Sequence, residues 1–263
     1  MAVKNTLKFM FSSIWLNIQK EWRYKTAFFS QMFLMMANNL ILIIEYVVIF
    51  SMVDDIGGYG LSEAMVLFAV SAGAFGIAHI FFGGLWGMSQ TVYDGKLDVF
   101  LTQPKNALLG IACSKTDISA IGDFLSGFVL LALAGVPWWY YLAYIPLVFV
   151  GGFLYAGLYA TFTNLCFVIK NANTAATCVE NIFINTSNRP PAIYSVGVRM
   201  VLYTAIPALF MAFVPVEFIL FQFNIWWALA YLGVAIFWVL LAFLTFKLGL
   251  KKYNSGSIMS GRL

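Results

Sequence analysis

The sequence predicts an all-α integral membrane protein: an N-terminal interfacial amphipathic helix, then six transmembrane helices, with both termini cytoplasmic. Three observations carry this. Hydrophobic residues make up 62% of the chain and charged residues 10%, whereas a soluble domain is roughly 45–50% apolar and about 25% charged. The apolar residues collect in runs long enough for a hydrocarbon core about 30 Å thick, which takes about 20 helical residues. Lys and Arg fall in alternate connections between those runs, which fixes an orientation.

Residues 1–25 come first. Leu7, Phe11, Ile14, Ile18 and Trp22 share one helical face; Lys8, Ser12, Gln19, Lys20 and Arg23 share the other, with Leu16 the exception. Such a helix lies in the membrane surface. Lys4, Lys8, Lys20 and Glu21 interrupt the apolar positions, so no cleavable signal peptide is expected. The spans follow at Phe28–Val53, Leu61–Trp86, Ile118–Gly135, Tyr141–Ile169, Val198–Val214 and Ile225–Phe246. The whole chain, 1–263, reads as one transmembrane domain.

All the basic residues fall before the first span, between spans two and three (Lys96, Lys105, Lys115), between spans four and five (Lys170, Arg189, Arg199), or after the last. The opposite connections carry only Asp54, Asp55 and Glu217. Positive charge stays cytoplasmic, so loops 88–117 and 170–197 are placed inside. The net charge of +4 then reports topology and does not argue for nucleic acid.

Polar residues within the spans are few. Glu45 is the one carboxylate placed deep in a span, and it is either a proton site or a neutral Glu bonded to a neighbouring helix. Asp123 is expected at the cytoplasmic headgroup level, and His79 as a core or headgroup-level histidine. Cys113, Cys166 and Cys178 have no paired metal-ligand spacing and are expected as free thiols. Ala72/Gly76, Gly83/Gly87 and Gly152/Ala156 are small pairs at four-residue spacing, suited to packing within one subunit or to a dimer seam. Trp138, Trp139, Tyr140, Tyr141 and Tyr144 read as an aromatic belt. Pro215 is expected to end span five, leaving 215–224 as an outer re-entrant or interfacial segment.

The stretch from Tyr93 to Pro104, YDGKLDVFLTQP, is polar and ends in a helix breaker. Leu97, Phe100 and Leu101 recur at i, i+3 and i+4 and give a two-turn helix a small apolar face. So short a helix is marginal alone, so it docks on headgroups or on a partner protein. No Gly-x-x-x-x-Gly-Lys-Ser/Thr loop occurs, so the chain has no ATP site of that kind.

GKLDVFLTQP resembles the G-x-L-D-x-x-L-x-x-P signature of bacterial ATP-binding-cassette exporter permeases of the ABC-2 type. The later stretch from Arg189 to Pro215, with Pro191, Tyr194, Arg199, Pro207 and Pro215, is similar to the same family's pattern. The resemblance implies a permease subunit without its own ATPase, in the bacterial inner membrane. It would pair with a second permease subunit, identical or related, and with ABC ATPase subunits, two copies expected, that carry ATP and Mg. Gly95, Lys96, Leu97, Asp98, Phe100, Leu101 and Pro104 would form the coupling site on that ATPase, with Leu97, Phe100 and Leu101 as its knobs. Glu45, Arg199 and Pro207 are the candidate pathway or gating residues, with no catalytic or metal site. The competing readings are a proton-coupled secondary carrier using Glu45 and an integral-membrane lipid-modifying enzyme.

Overall fold

The computed structural model describes residues 2–169 and 172–253; Lys170 and Arg262, counted above among the basic residues, lie outside them. The described chain is helical throughout, without a strand. Its helices are α1 Ala2–Trp22, α2 Lys25–Met52, α3 Leu61–Phe82, α4 Met88–Tyr93, α5 Leu97–Leu101, α6 Ala107–Ala112, α7 Ser119–Leu133, α8 Trp138–Thr163, α9 Ala172–Ser187, α10 Val196–Thr204, α11 Ala208–Met211 and α12 Ile225–Leu250. A 3-10 segment, Gly83–Gly87, follows α3, another, Asn164–Phe167, follows α8, and a π-helical turn, Pro215–Phe221, precedes α12.

Among the described residues, four helical stretches are long and apolar enough to cross a membrane: Lys25–Met52, Leu61–Tyr93, Trp138–Phe167 and Ile225–Leu250. The bent pair Val196–Thr204 and Ala208–Phe221 would make a fifth if it were one span. α7 is apolar but only 15 residues long, about 22 Å at 1.5 Å per residue.

α3 is the central strut and is buried on nearly every side. It packs on α7 and α8, and close approach requires the small residues. A side chain on Gly76 would meet the Ala120 carbonyl at 2.8 Å, and one on Gly152 would meet Ile77 at 2.6 Å. Two of the small pairs therefore serve packing within this chain. α12 covers α8 with one narrow stripe, Tyr231, Ala235, Trp238, Ala242, Phe246 and Gly249, the spacing of a single helical face. Its other faces expose Leu229, Ile236, Leu240 and Leu244.

α2, α3, α7 and α8 alternate in direction between two ends, and α12 runs parallel to α8. One end holds Lys25, the α3–α7 connection with Lys96, Lys105 and Lys115, and Lys247; it is called the basic end here. The opposite end holds Asp54, Asp55 and the start of α12.

α9 departs from the expected loop at 170–197. It climbs the bundle from the basic end, as its contacts show in order. Glu180 accepts from Trp86 Nε1 at 2.7 Å, Phe183 stacks on Tyr155 at 5.3 Å, and Ser187 Oγ meets Ser71 Oγ, halfway along α3, at 2.8 Å. Beyond it, Tyr46 OH donates to the Asn188 carbonyl at 2.6 Å, Arg189 lies 3.7 Å from Glu45, and Ala192 packs on Gly57 in the α2–α3 turn. Gly57 (φ +63°) and Gly58 (φ +86°) make that turn, and a side chain on Gly57 would overlap Ala192. The segment 172–193 thus runs from one end of the bundle to the other. The expected loop is a helix because Ala172, Ala176, Phe183 and Ser187 give it a buried face.

The expected span Val198–Val214 is correspondingly corrected. α10 and the helical segment Ala208–Phe221 meet at 64°, at Pro207, which has no amide donor and whose ring crowds the preceding turn. α11 reaches mid-bundle, where the Met211 carbonyl approaches Gly151. The chain then returns to the acidic end, where Tyr59 OH hydrogen-bonds Glu217 and Phe223 packs on Trp139 at 5.1 Å. Pro215 does not end the helix; it opens the π-helical turn, whose wider spacing accommodates its missing donor. The aromatic belt is also only partly so. Trp138 is exposed, whereas Tyr140 and Tyr144 are core, with Tyr144 OH donating to the Phe124 carbonyl at 2.9 Å.

Candidate functional site

Two features stand out: the loop from α4 to α6 at the basic end, and α9. In the loop, Gly95 turns the chain with φ +70°. Lys96 Nζ lies 2.8 Å from Asp94 and holds that exposed carboxyl below the usual carboxylate range. α5 then packs on α6, with Phe100 against Gly110 at a separation that would leave a Cβ only 3.1 Å away.

This packing corrects the expected docking knobs. Leu97 is fully buried within the chain itself, and Phe100 is half-buried on α6. The apolar side chains that α5 leaves open are Val99 (61% exposed) and Leu101 (42%). Lys96, Thr102, Gln103 and Pro104 are exposed beside them, and Asp98 is half-buried. The i, i+3, i+4 pattern identified an amphipathic turn, but α6 covers most of the face it named. Val99 was missed because it lies off that face, and its exposure is its only signal.

α9 carries the second feature. Asn173, Thr174, Thr177, Cys178, Asn181 and Asn185 are exposed, and spacings of three and four put them on neighbouring positions of one side. Asn185 donates to its own helix at the Asn181 carbonyl, 2.7 Å away. Amides facing hydrocarbon cost several kcal/mol each when unpaired, so this side suits water or another polar surface rather than lipid.

The interior behind α9 is polar as well. Glu180 Oε1 accepts from both Trp86 Nε1 at 2.7 Å and Tyr155 OH at 2.6 Å. His79 lies between the rings of Phe75 and Trp86, its Nδ1 3.1 Å from the Phe75 carbonyl, as a core histidine. Asp123, expected at headgroup level, is buried (2% exposed), and Asn39 Nδ2 donates to it at 2.8 Å and to Ser126 at 2.9 Å. A cavity of about 140 Å³ beside it is lined mostly by apolar residues such as Leu42, Phe68 and Met211, with Asn38, Asn39, Ser71, Asp123 and Asn188 among them.

The expected pathway residues do not converge. Glu45 is half-exposed and sits opposite Arg189, about 10 Å from the acidic end of α2 at 1.5 Å per residue. Arg199 is on α10, in reach of Tyr203, and Pro207 is buried at the bend. Arg189 therefore lies toward the acidic end, against the expected one-sided distribution of basic residues. Glu180 and Asp123 are the interior carboxylates that sequence reasoning misplaced. Among the described residues no cluster of His, Cys, Asp and Glu could hold a metal ion.

Comparison with known proteins gives one match, to the model for the ABC-2 family transporter protein over residues 33–257. No curated protein and no solved structure matches the chain. The matched region takes in α2 from residue 33 onward, the other long apolar helices, the α4–α6 loop and α9. The chain belongs to the ABC-2 transporter family, as one of its membrane components.

Proposed function

We propose that this chain is the permease subunit of an ATP-driven exporter, and that it crosses the membrane six times, by α2, α3, α7, α8, α9 and α12. Both termini are cytoplasmic in this reading, and the segment 196–224 is re-entrant from the outer face. α7 spans as a short helix, with local thinning or flanking residues taking up the mismatch. The described basic residues other than Arg189 and Arg199 remain on the cytoplasmic side, which still satisfies the positive-inside bias.

The observation that carries the reading is the segment 172–193, which crosses the bundle and whose helix α9 presents amides and hydroxyls outward. Two permease subunits, identical or related, facing each other across these sides would enclose a polar path. ATP and Mg belong to partner ATPase subunits, two copies, that dock on the loop between α4 and α6. The docking residues are then Val99 and Leu101, flanked by Lys96, Thr102 and Pro104, with Leu97 holding the loop in shape from inside. The cargo leaves the bacterial inner membrane outward.

Co-purification tests the docking. Val99→Asp with Leu101→Asp is expected to leave permease yield unchanged and to lose the ATPase. Two exposed side chains that become buried on docking contribute about 1.5 kcal/mol or more each, and 3 kcal/mol weakens binding by about a hundredfold. Leu97→Asp is expected to lower the yield of folded permease itself, since it forces a carboxylate into the core. If the double variant keeps its ATPase and transports normally, the loop is not the docking site.

A further inference from the structure

Two cavities at the basic end adjoin at Leu109 under the N-terminal helix. One, of about 260 Å³, is lined only by apolar residues, among them Met10, Phe82, Leu108, Leu109, Phe153 and Phe243. The other, of about 670 Å³, is lined by Asn5, Phe9, Gln103, Lys105, Asn106 and Leu109, with no acidic residue. Leu109 lines both, and α1 and α6 contribute to both.

We propose that the two adjoining cavities together hold one anionic phospholipid of the cytoplasmic leaflet, its phosphate at Lys105 and one acyl chain in the apolar cavity. Lys105 Nζ is held over the Phe9 ring at 3.5 Å and has no carboxylate within ion-pair distance among the described residues. Asn106 Oδ1 accepts from the Leu109 amide, which leaves its Nδ2 as a donor toward the cleft. A phosphate therefore finds a positive charge and amide donors and meets no carboxylate.

The apolar part cannot be hydrated, because water needs two or more polar partners. A water takes about 30 Å³ of liquid and a methylene is of similar size, so a chain on the order of nine carbons fits. The neighbouring surface suits lipid: Phe11, Trp15 and Leu16 of α1 and Leu240 of α12 are all exposed. The cytoplasmic leaflet also supplies anionic headgroups. A phospholipid satisfies both halves at once, whereas free phosphate fills one. Bound there, it ties α1 to the loop carrying α5; any effect on ATPase docking rests on the function proposed above, but the binding does not.

The test is native mass spectrometry of the full-length permease delipidated in detergent and reloaded with phosphatidylglycerol or phosphatidylcholine. Wild type is expected to keep one phosphatidylglycerol per chain, with at least a tenfold preference over phosphatidylcholine. Lys105→Glu should lose that preference, and Lys115→Glu, the same charge change on an exposed residue outside the cleft, should keep it. Leu109→Trp, which fills the junction, should lower retention of both lipids. No preference in wild type, or an unchanged preference in Lys105→Glu, overturns the proposal. So does displacement of the lipid by inorganic phosphate, which would make the site one for the free anion. If Leu109→Trp does not fold, the Lys105→Glu and Lys115→Glu pair still decides the matter.

Discussion

α12 and the segment 172–193 that α9 begins run between the same two ends of the bundle with opposite chemistry. α12 has 26 residues and buries one narrow stripe on α8. What else it shows before Lys247 is Leu, Ile, Phe, Val, Trp, Ala or Gly, with Thr245 the one hydroxyl. α9 has 16 residues and buries four of them, and its open side carries mostly Asn, Thr and Cys, with Ala175 and Ile182 among them. A helix surrounded by hydrocarbon is held in the membrane by its exposed side chains. A helix with polar exposed residues is held by what it buries against its neighbours and by Glu180, which ties it to Trp86 and Tyr155. The first reports its environment in its composition, and the second in its contacts.

A charge placed on each helix should separate them most widely. Leu240→Arg puts a guanidinium on the lipid side of α12, at a cost of about 2.5–3.5 kcal/mol near the bilayer centre. Asn185→Arg on α9 should cost under about 1 kcal/mol, because that side is already polar. Folded yield of the two variants measures the difference. Equal losses would mean that both helices face lipid.

Glu180→Ala should come next. It leaves the Trp86 N–H and Tyr155 O–H without their acceptor, at about 1–3 kcal/mol for each unsatisfied group. The detergent unfolding midpoint should fall, and Glu180→Gln, which keeps an acceptor oxygen, should recover part of the loss. No change for Glu180→Ala would mean that the ties do not hold α9 in place.

The same comparison explains what the sequence made legible. α2, α3, α8 and α12 were readable because their apolar runs are long enough to span a bilayer, whether lipid faces them, as for α2 and α12, or the protein core does, as for α3. α9 was not, because Asn173, Thr177, Asn181 and Asn185 look like a cytoplasmic loop until Ser71, Tyr155 and Trp86 are seen beside them. Those partners are 25 to 116 residues away in the chain, beyond any local pattern. Asp123 was misplaced for the same reason, its partner Asn39 lying 84 residues earlier. In the candidate coupling loop, periodicity identified the short helix but not which of its sides α6 would cover. Leu97 is therefore core, and Val99 is the residue left open.

Thiol chemistry offers the gentlest probe. Cys178 is exposed on the polar side of α9, whereas Cys113 is buried and its thiol is pushed up to about 11 by burial. A water-soluble thiol reagent at neutral pH should modify Cys178 in the membrane-embedded protein while Cys113 stays intact, since the thiolate is the reactive form. Peptide mass analysis gives the ratio. Protection of Cys178 would place that side of α9 against lipid or a dry interface.

The central claim is that α9 crosses the membrane, and Ile193, exposed just beyond it, reports on this most directly. In a variant without the native cysteines, Ile193→Cys should react with an impermeant thiol reagent added outside intact cells, as Asp54→Cys in the α2–α3 connection should. Asn106→Cys should react only after permeabilisation. If Ile193→Cys follows Asn106→Cys, residues 172–193 return to the side they started from, and α9 is not a span.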